Sequence, residues 1–203
     1  MIYDVLIIGA GSAGYGCALT LASVEDKQEW AKDKKYLLVD DDTNNSDILK
    51  ASFFNLCGVS LGTGGDTLLN NMQTQLDNFK SCSKINDTIL NISKENDIFE
   101  VSSSTNNYKA KIVVIATGMH KFDIRCDDIE ILPHNKIMKP NKIYLKNNDN
   151  IITPNLYVAG LASGVKTMFA IANGDGVKVA CDIFEKWTSK PAVAHDTIKD
   201  KII

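Results

Sequence analysis

The sequence is short of nearly every feature that assigns a chain to a class on composition alone. It has no surplus of positive charge: 22 Lys and Arg stand against 25 Asp and Glu, a formal net charge of -3, so no whole-chain field exists to hold nucleic acid. The basic run Lys32 to Lys35 contains Asp33 and reads as solvated helix surface. No stretch approaches the roughly 18 uninterrupted apolar residues of a membrane span. The apolar N-terminus is not expected to be a secretory leader, because Asp4 interrupts it and it shows no basic segment. These absences lead us to expect a soluble, cytoplasmic protein that engages neither nucleic acid nor membrane. No CxxC pair occurs, and the five cysteines, Cys17, Cys57, Cys82, Cys126 and Cys181, are odd in number and scattered, which argues against a disulfide framework or a zinc site. Three histidines, His120, His134 and His195, show no ligand spacing, so no metal is invoked. The length suits one domain, or one with a small appendage, and allows a full core.

What the sequence does have is concentrated at its start. Tyr3 to Ala18 reads YDVLIIGAGSAGYGCA. The run Val5-Leu6-Ile7-Ile8 predicts a buried parallel strand, Gly9, Gly11 and Gly14 a tight turn, and Ala13, Ala18 and Ala22 a closely packed helix that begins at once. That order and the G-x-G-x-x-G spacing make a dinucleotide phosphate site. Gly9 permits the turn, Gly11 has no Cβ to keep the backbone from a pyrophosphate, and Gly14 lets helix and strand approach. The N–H groups of the first helical turn, at Ser12, Ala13 and Gly14, then face the phosphates from the positive end of the helix dipole.

A polar segment around Glu25 to Lys34 leads to a second strand, Tyr36-Leu37-Leu38-Val39, which ends in Asp40-Asp41-Asp42. An acid there accepts the hydroxyl protons of a ribose. Asp40, directly after the apolar run, is the first candidate and Asp41 the second. Asp40 lies somewhat further from Gly14 than the roughly 20 residues usual, and the polar insert accounts for the surplus. Three adjacent acids repel a ribose 2′-phosphate, which favours FAD or NAD over NADP. Asn44 to Asn55 lacks periodicity and reads as a long loop. Gly58, Gly62, Gly64 and Gly65 then introduce a helix with Leu68, Leu69, Met72, Leu76 and Phe79 at helical spacing.

From Thr88 to Ala116 the period becomes that of strands, predicting an antiparallel meander whose last member is buried and ends in Ala116-Thr117-Gly118. Met119 to Asn150 is polar and loop-like, with Pro133, Pro140, a short extended run at Lys142 to Leu145 and no second glycine fingerprint. Thr153 to Gly160 predicts another buried strand. A helix is predicted roughly from Lys166 to Trp187, with Ala170, Ala172, Gly174, Gly176 and Ala180 making one side small. The tail after Lys190 is expected to fray, although Ile198, Ile202 and Ile203 could dock on a partner.

Four pieces, taken in order, resemble one family. The GAGSAG turn, the acid-ended second strand, IVVIATG, and TPNLYVAG with its small-residue helix are similar to the FAD-binding domain of the thioredoxin-reductase-like pyridine nucleotide-disulfide oxidoreductases. Asn55-Leu56-Cys57-Gly58 resembles that family's Asn-x-Pro-Gly segment beside the flavin, with Cys57 in place of proline. The resemblance implies an α/β fold: a Rossmann-like FAD-binding domain with a central parallel sheet, flanking helices and a small antiparallel strand meander, spanning residues 1–190 ahead of a tail at 191–203. It implies FAD as the cofactor, with the pyrophosphate on Gly9 to Gly14 and the ribose on Asp40 or Asp41. Asn55 and Gly160 would lie near the isoalloxazine, Thr117, Gly118 and Leu161 would also contact the cofactor, and the backbone at Thr167 and Met168 would face the flavin pyrimidine, stabilising negative charge on the reduced ring.

Three departures qualify what the resemblance implies. The family inserts a complete NAD(P)H-binding domain after the ATG strand, whereas residues 119–152 are too few for one. The family's redox-active CxxC is missing with it. Leu161 stands where the family carries an aspartate that holds the ribityl chain; a lost charge-assisted hydrogen bond costs about 1.5–3 kcal/mol, roughly ten- to a hundredfold in affinity. The expectation is an FAD-dependent oxidoreductase fed by an external donor or partner protein, and a homodimer or hetero-partner could re-cover the face left by the absent domain. The alternative is a non-catalytic nucleotide-binding or regulatory module on the same fold, and NAD in place of FAD is a third reading. No catalytic residue is assigned. Cys57 is the candidate thiol, with a small buried packing residue as its other reading, and Cys17 is read as packing.

Overall fold

In the computed structural model, which describes residues 1–41, 43 and 46–195, the N-terminal aliphatic run forms strand β1 (Ile2–Ile8) and the small residues after the glycine turn form helix α1 (Ser12–Ala22). A 3-10 turn at Glu29–Ala31, strand β2 (Tyr36–Asp40) and a second 3-10 turn at Asp47–Lys50 lead to a short pair, β3 (Ser52–Phe53) and β4 (Thr63–Gly64), and to helix α2 (Gly65–Leu76). Strands β5 (Cys82–Asn86), β6 (Ile89–Glu95), β7 (Ile98–Ser103) and β8 (Asn107–Ile115) follow. Four short strands, β9 (Ile131–Pro133), β10 (Ile143–Leu145), β11 (Ile151–Thr153) and β12 (Leu156–Val158), precede a 3-10 turn at Gly160–Ser163 and helix α3 (Phe169–Thr188).

The main sheet has the order β11-β12-β8-β1-β2-β5, with β12, β8, β1, β2 and β5 parallel. β1 lies between β2 and β8, so the chain leaves it to one side first and returns to the other, and a crevice opens at the carboxyl ends of the strands at such a reversal. β8 is long enough to serve two neighbours on its outer edge. Its first half pairs antiparallel with β7 (Ser102 opposite Asn107) and its second half parallel with β12 (Val158 opposite Ile115).

Both faces of the sheet are covered, which is why Val5 to Ile8 are all buried without alternation. Val5, Ile7, Leu38, Ile112 and Val114 pack against the three α-helices. Leu6, Ile8, Leu37, Val39, Val113 and Ile115 pack against Ile92, Phe99 and Val101 of the β6–β7 hairpin and against Leu145 and Ala162. Asp4 is the one charge in the first strand. Burial alone raises its pKa, but Lys111 Nζ (2.9 Å), Lys34 Nζ (3.4 Å) and the Lys35 N–H (3.0 Å) hold the carboxyl below its ordinary value.

Four segments differ from the sequence expectation. The interval read as loop-like contains the antiparallel pair β9–β10: the extended run at Lys142 to Leu145 is β10, and its partner β9, three residues long, is too short to show a period. Its Tyr144 ring lies against Gly164 and edge-on to His134, which is buried, with centroids 5.8 Å apart. The loop predicted from Asn44 to Asn55 holds the Asp47–Lys50 turn, begun by Ser46 Oγ accepting from the Ile48 N–H (3.4 Å), and β3. Helix α3 starts at Phe169 rather than Lys166, because Met168 is extended (φ −132°, ψ 139°) and caps the helix. Ala192 and Ala194 pack on the helix-side core, so the first part of the tail is docked rather than frayed; Ile198, Ile202 and Ile203 lie outside the described residues, as does Asp42.

Candidate functional site

Gly9 leaves β1 with φ +107°, a conformation L side chains rarely adopt, and a Cβ there would sit 2.5 Å from the carbonyl oxygen of Ala116. Its N–H donates to the Val39 carbonyl (2.7 Å), while the Ala116 N–H donates to Ile8 (2.7 Å), so the turn is anchored to both neighbouring strands. A Cβ on Gly14 would lie 1.8 Å from the Gly9 carbonyl oxygen, whereas one on Gly11 would meet nothing within 4 Å. Gly11 is the N-cap of α1, with no side-chain cap and no acid in the first turn. The first-turn N–H groups at Ser12, Ala13 and Gly14 therefore have no side-chain cap, and the positive end of the helix dipole is not offset by an acid in that turn, which is the requirement for binding phosphate.

Asp40 ends β2 beside this turn and forms an ion pair with Lys84 of β5, Nζ to Oδ2 3.2 Å. Asp41 is turned to a local task, its Oδ1 accepting from the N–H (3.2 Å) and hydroxyl (3.0 Å) of Thr43. Tyr15 of α1 donates to Gln73 Oε1 of α2 (2.7 Å); burial first, and nearby Asp40 second, push its phenol up to about 12. Thr117, just past β8, keeps a buried hydroxyl without a hydrogen-bond partner among the described residues, and a Cβ on Gly118 would meet none of them within 4 Å. Gly160 follows β12 at φ +71°, pressed so close to α1 that a Cβ would be 2.6 Å from that of Ala13. Gly9, Gly11, Asp40, Thr117, Gly118, Gly160 and the partly exposed Leu161 thus lie along the carboxyl ends of β1, β2, β8 and β12, four adjacent parallel strands.

Asn55 and Cys57 are carried by the β3–β4 hairpin. Phe53 meets Phe169 edge to face at 5.5 Å, which brings that hairpin to the start of α3, where Thr167 and Met168 are exposed and the helix carries neither side-chain cap nor acid in its first turn. Cys57 is exposed, so the reading of it as a small buried packing residue does not hold: it occupies a turn rather than a core position. Cys17 is fully buried, and burial pushes its thiol well above the ordinary range. His120, two residues past Gly118, accepts at Nδ1 from Lys142 Nζ (2.9 Å), since an ammonium can only donate, and Nε2–H therefore donates to Asp47 Oδ2 (2.8 Å). Among the described residues no group of three or more His, Cys, Asp or Glu side chains is placed to hold a metal ion. A cavity of about 550 Å³ at the opposite, amino-terminal edge of the sheet is lined by Glu25, Lys35, Tyr36, Lys80 and neighbours.

Several site-forming residues were not singled out from sequence. Asn173 and Asp175 of α3 reach the α1 turn and the Gly160 turn, and Lys84 reaches Asp40. The available signal was an Asn-Gly-Asp-Gly run of polar residues inside an otherwise small and apolar helix.

The residues present fit a dinucleotide on four counts: an uncapped helix N-terminus, open space at Gly11 and Gly118, an orphaned Thr117 hydroxyl and a carboxylate at the end of β2. Comparison with known proteins points the same way. The profile of the family described as pyridine nucleotide-disulphide oxidoreductase matches residues 3–156. Thioredoxin reductases of Peptoclostridium litorale and Peptoclostridium acidaminophilum are 29% and 28% identical over 117 residues, 58% of this chain but 35% of each relative. The match therefore spans about a third of those relatives' length. Among solved structures, a thioredoxin reductase from Gloeobacter violaceus aligns with TM-score 0.74 at 14% identity, covering 96% of this chain and 98% of that one. A ferredoxin-flavin thioredoxin reductase from Clostridium acetobutylicum aligns with TM-score 0.65 at 16% identity, covering 93% and 99%. At those identities the likeness is one of fold.

Proposed function

The chain belongs to the pyridine nucleotide-disulphide oxidoreductase family, and from that premise we propose that residues 1–190 form an FAD-binding oxidoreductase unit whose electrons come from an external donor or a partner protein. The observation that supports this best is the open first turn of α1, with Asp40, Thr117 and Gly160 beside it on one edge of the sheet. Bound FAD supplies two-electron redox chemistry that side chains lack. The first-turn N–H groups of Ser12, Ala13 and Gly14 would hold the pyrophosphate, and Asp40, its carboxylate paired with Lys84, would accept from the adenosine ribose. The Thr117 hydroxyl, unpartnered among the described residues, would be available to the cofactor, and the uncapped start of α3 at Thr167 and Met168 would favour negative charge at the flavin pyrimidine. Exposed Phe54 and Leu61 on the β3–β4 hairpin, with Met168 and Ile171 at the start of α3, give a partner or a second copy an apolar rim to cover.

A second reading, a non-catalytic nucleotide-binding or regulatory module, draws support from Leu161 and from the interval between β8 and β11, which holds the β9–β10 hairpin. Two measurements on the purified chain decide. A flavin absorption spectrum, or saturable quenching of added FAD fluorescence, is expected; a colourless protein that ignores FAD overturns the cofactor. Anaerobic bleaching by NADH, NADPH, a dithiol or a reduced electron carrier is expected for the oxidoreductase, and bound flavin that no donor bleaches favours the module.

A further inference from the structure

One oxygen on α3 receives an unusual number of donors. Asp175 Oδ2 accepts from the Gly160 N–H (2.7 Å) and the side-chain amide of Asn150 (3.0 Å), and lies 2.7 Å from the Ser163 hydroxyl, whose single proton it shares with the Gly160 carbonyl (2.8 Å). Asn150 is buried, and its amide also donates to the Val158 carbonyl (2.9 Å), so the carboxylate is tied to the last strand as well as to the turn after it. Lys178, the next cation along α3, pairs instead with Asp149 (3.1 Å) and Asp182 (2.8 Å). Charge-assisted bonds of this kind are about twice as strong as neutral ones; two of them act on the turn that begins with Gly160 at φ +71°, and the third ties the same carboxylate to Asn150.

The same turn of α3 grips α1. Asn173 Nδ2 donates to the Ser12 carbonyl (2.9 Å), and a Cβ on Gly176 would lie 2.0 Å from the carbonyl oxygen of Ala13. Asn173, Asp175 and Gly176 therefore fix two separate backbone turns relative to each other: the open first turn of α1 and the Gly160–Ser163 turn. Leu161 offers no polar group in that second turn, so binding there depends on how well the backbone is placed.

We infer that Asp175 is a positioning residue of the ligand site, its carboxylate holding the Gly160–Ser163 turn from behind in register with the first turn of α1, so that both halves of one extended dinucleotide meet their backbone partners together. The inference rests on the FAD reading above. A turn that occupies its competent position only part of the time weakens binding in proportion to that fraction, and the loss falls on the flavin half alone. ADP, which carries the adenosine and two phosphates but no flavin, reaches the Gly9–Gly14 turn and Asp40 without needing Gly160.

The test compares FAD, by fluorescence quenching, with ADP, by calorimetry, on wild type, Asp175→Asn and the control Lys178→Ala, which breaks the Asp149 and Asp182 pairs on the same helix. Asp175→Asn is expected to weaken FAD roughly ten- to a hundredfold, as charged acceptors give way to a neutral one, while ADP affinity stays within about twofold and Lys178→Ala changes neither. Equal losses of FAD and ADP, or unchanged FAD affinity, overturn the inference: the first would mark Asp175 as a support of the fold only. Wild type that binds ADP but not FAD overturns the FAD reading itself, which is a separate result. Should Asp175→Asn fail to fold, Ser163→Ala removes one donor from the same oxygen and is expected to give the same FAD-only loss at about three- to tenfold.

Discussion

Gly11 and Gly14 stand three residues apart in one motif and have opposite reasons to be glycine. A side chain at Gly14 collides with backbone, the Gly9 carbonyl at 1.8 Å, which has no room to retreat because Gly9 is itself tied to β2. Gly14→Ala is expected to cost about 3 kcal/mol of stability, visible as a large drop in the denaturation midpoint. Gly11 faces open space. Gly11→Ala is expected to cost only a few tenths to about 1 kcal/mol as an altered N-cap, yet to weaken FAD at least about tenfold, because the methyl enters the space beside the first-turn N–H groups. Stability and affinity measured on the pair separate the two roles, and equal behaviour of the two variants contradicts the assignment. The glycines were legible in the sequence because their motif is local, set by spacing within one turn. Asp175 was not, since its donors come from Asn150, Gly160 and Ser163, and nothing in the spacing of those residues announces that they meet on one oxygen.

Among the elements, the β5–β6 connection couples the meander to the ligand edge. The Asp87 N–H donates to the Asp40 carbonyl (2.8 Å), and the Asp87 side chain gathers Tyr108 Oη (2.6 Å), Asn106 Nδ2 (3.2 Å) and the Thr88 N–H (2.8 Å). Its slight burial raises the pKa, but hydrogen bonds from Ser103, Tyr108, Asn106 and Thr88 outweigh that and hold it at about 2. A carboxyl depressed on folding contributes stability at pH values above its unfolded pKa, about 4, and loses it as pH falls through the folded value, about 2. Asp87→Ala is therefore expected to lower the thermal midpoint at pH 7 and to make progressively less difference below pH 4; a deficit that is the same at pH 7 and near pH 2 contradicts the assignment. The three-strand meander was readable from its alternation and β10 as the extended run at Lys142 to Leu145, whereas β9 and β11, at three residues each, were not: a period of two needs more than one repeat to be seen.

At the scale of the molecule, the layered arrangement followed from the continuous apolar runs of β1, β2 and β8, which demand cover on both faces. The identity of the cover on the second face, a hairpin rather than helices, came from the change of period after Thr88. A ligand that bridges α1, β2, β12 and the start of α3 joins elements from both ends of the chain, and it stabilises the folded state by mass action. FAD at about a hundred times its dissociation constant is expected to add roughly 2.7 kcal/mol, a rise in melting temperature of roughly 5–10 °C for a chain of this size. ADP at the same multiple of its own constant is expected to match that shift, and an FAD scan superimposable on the ligand-free one contradicts the binding reading.

The β9–β10 hairpin has a practical consequence. Its connecting residues are closed at the base by the His134 N–H donating to the Lys142 carbonyl (2.8 Å), and at their tip Met138 is fully solvent-exposed. Because the two stems are already clasped, the entropic cost of a longer connection grows only with the logarithm of its length. That makes the tip a splice port: a reporter domain grafted between Lys136 and Lys139 would ride outside the sheet, report on events at the neighbouring Gly160 turn through the Tyr144–Gly164 contact, and leave the glycine cradle as it is.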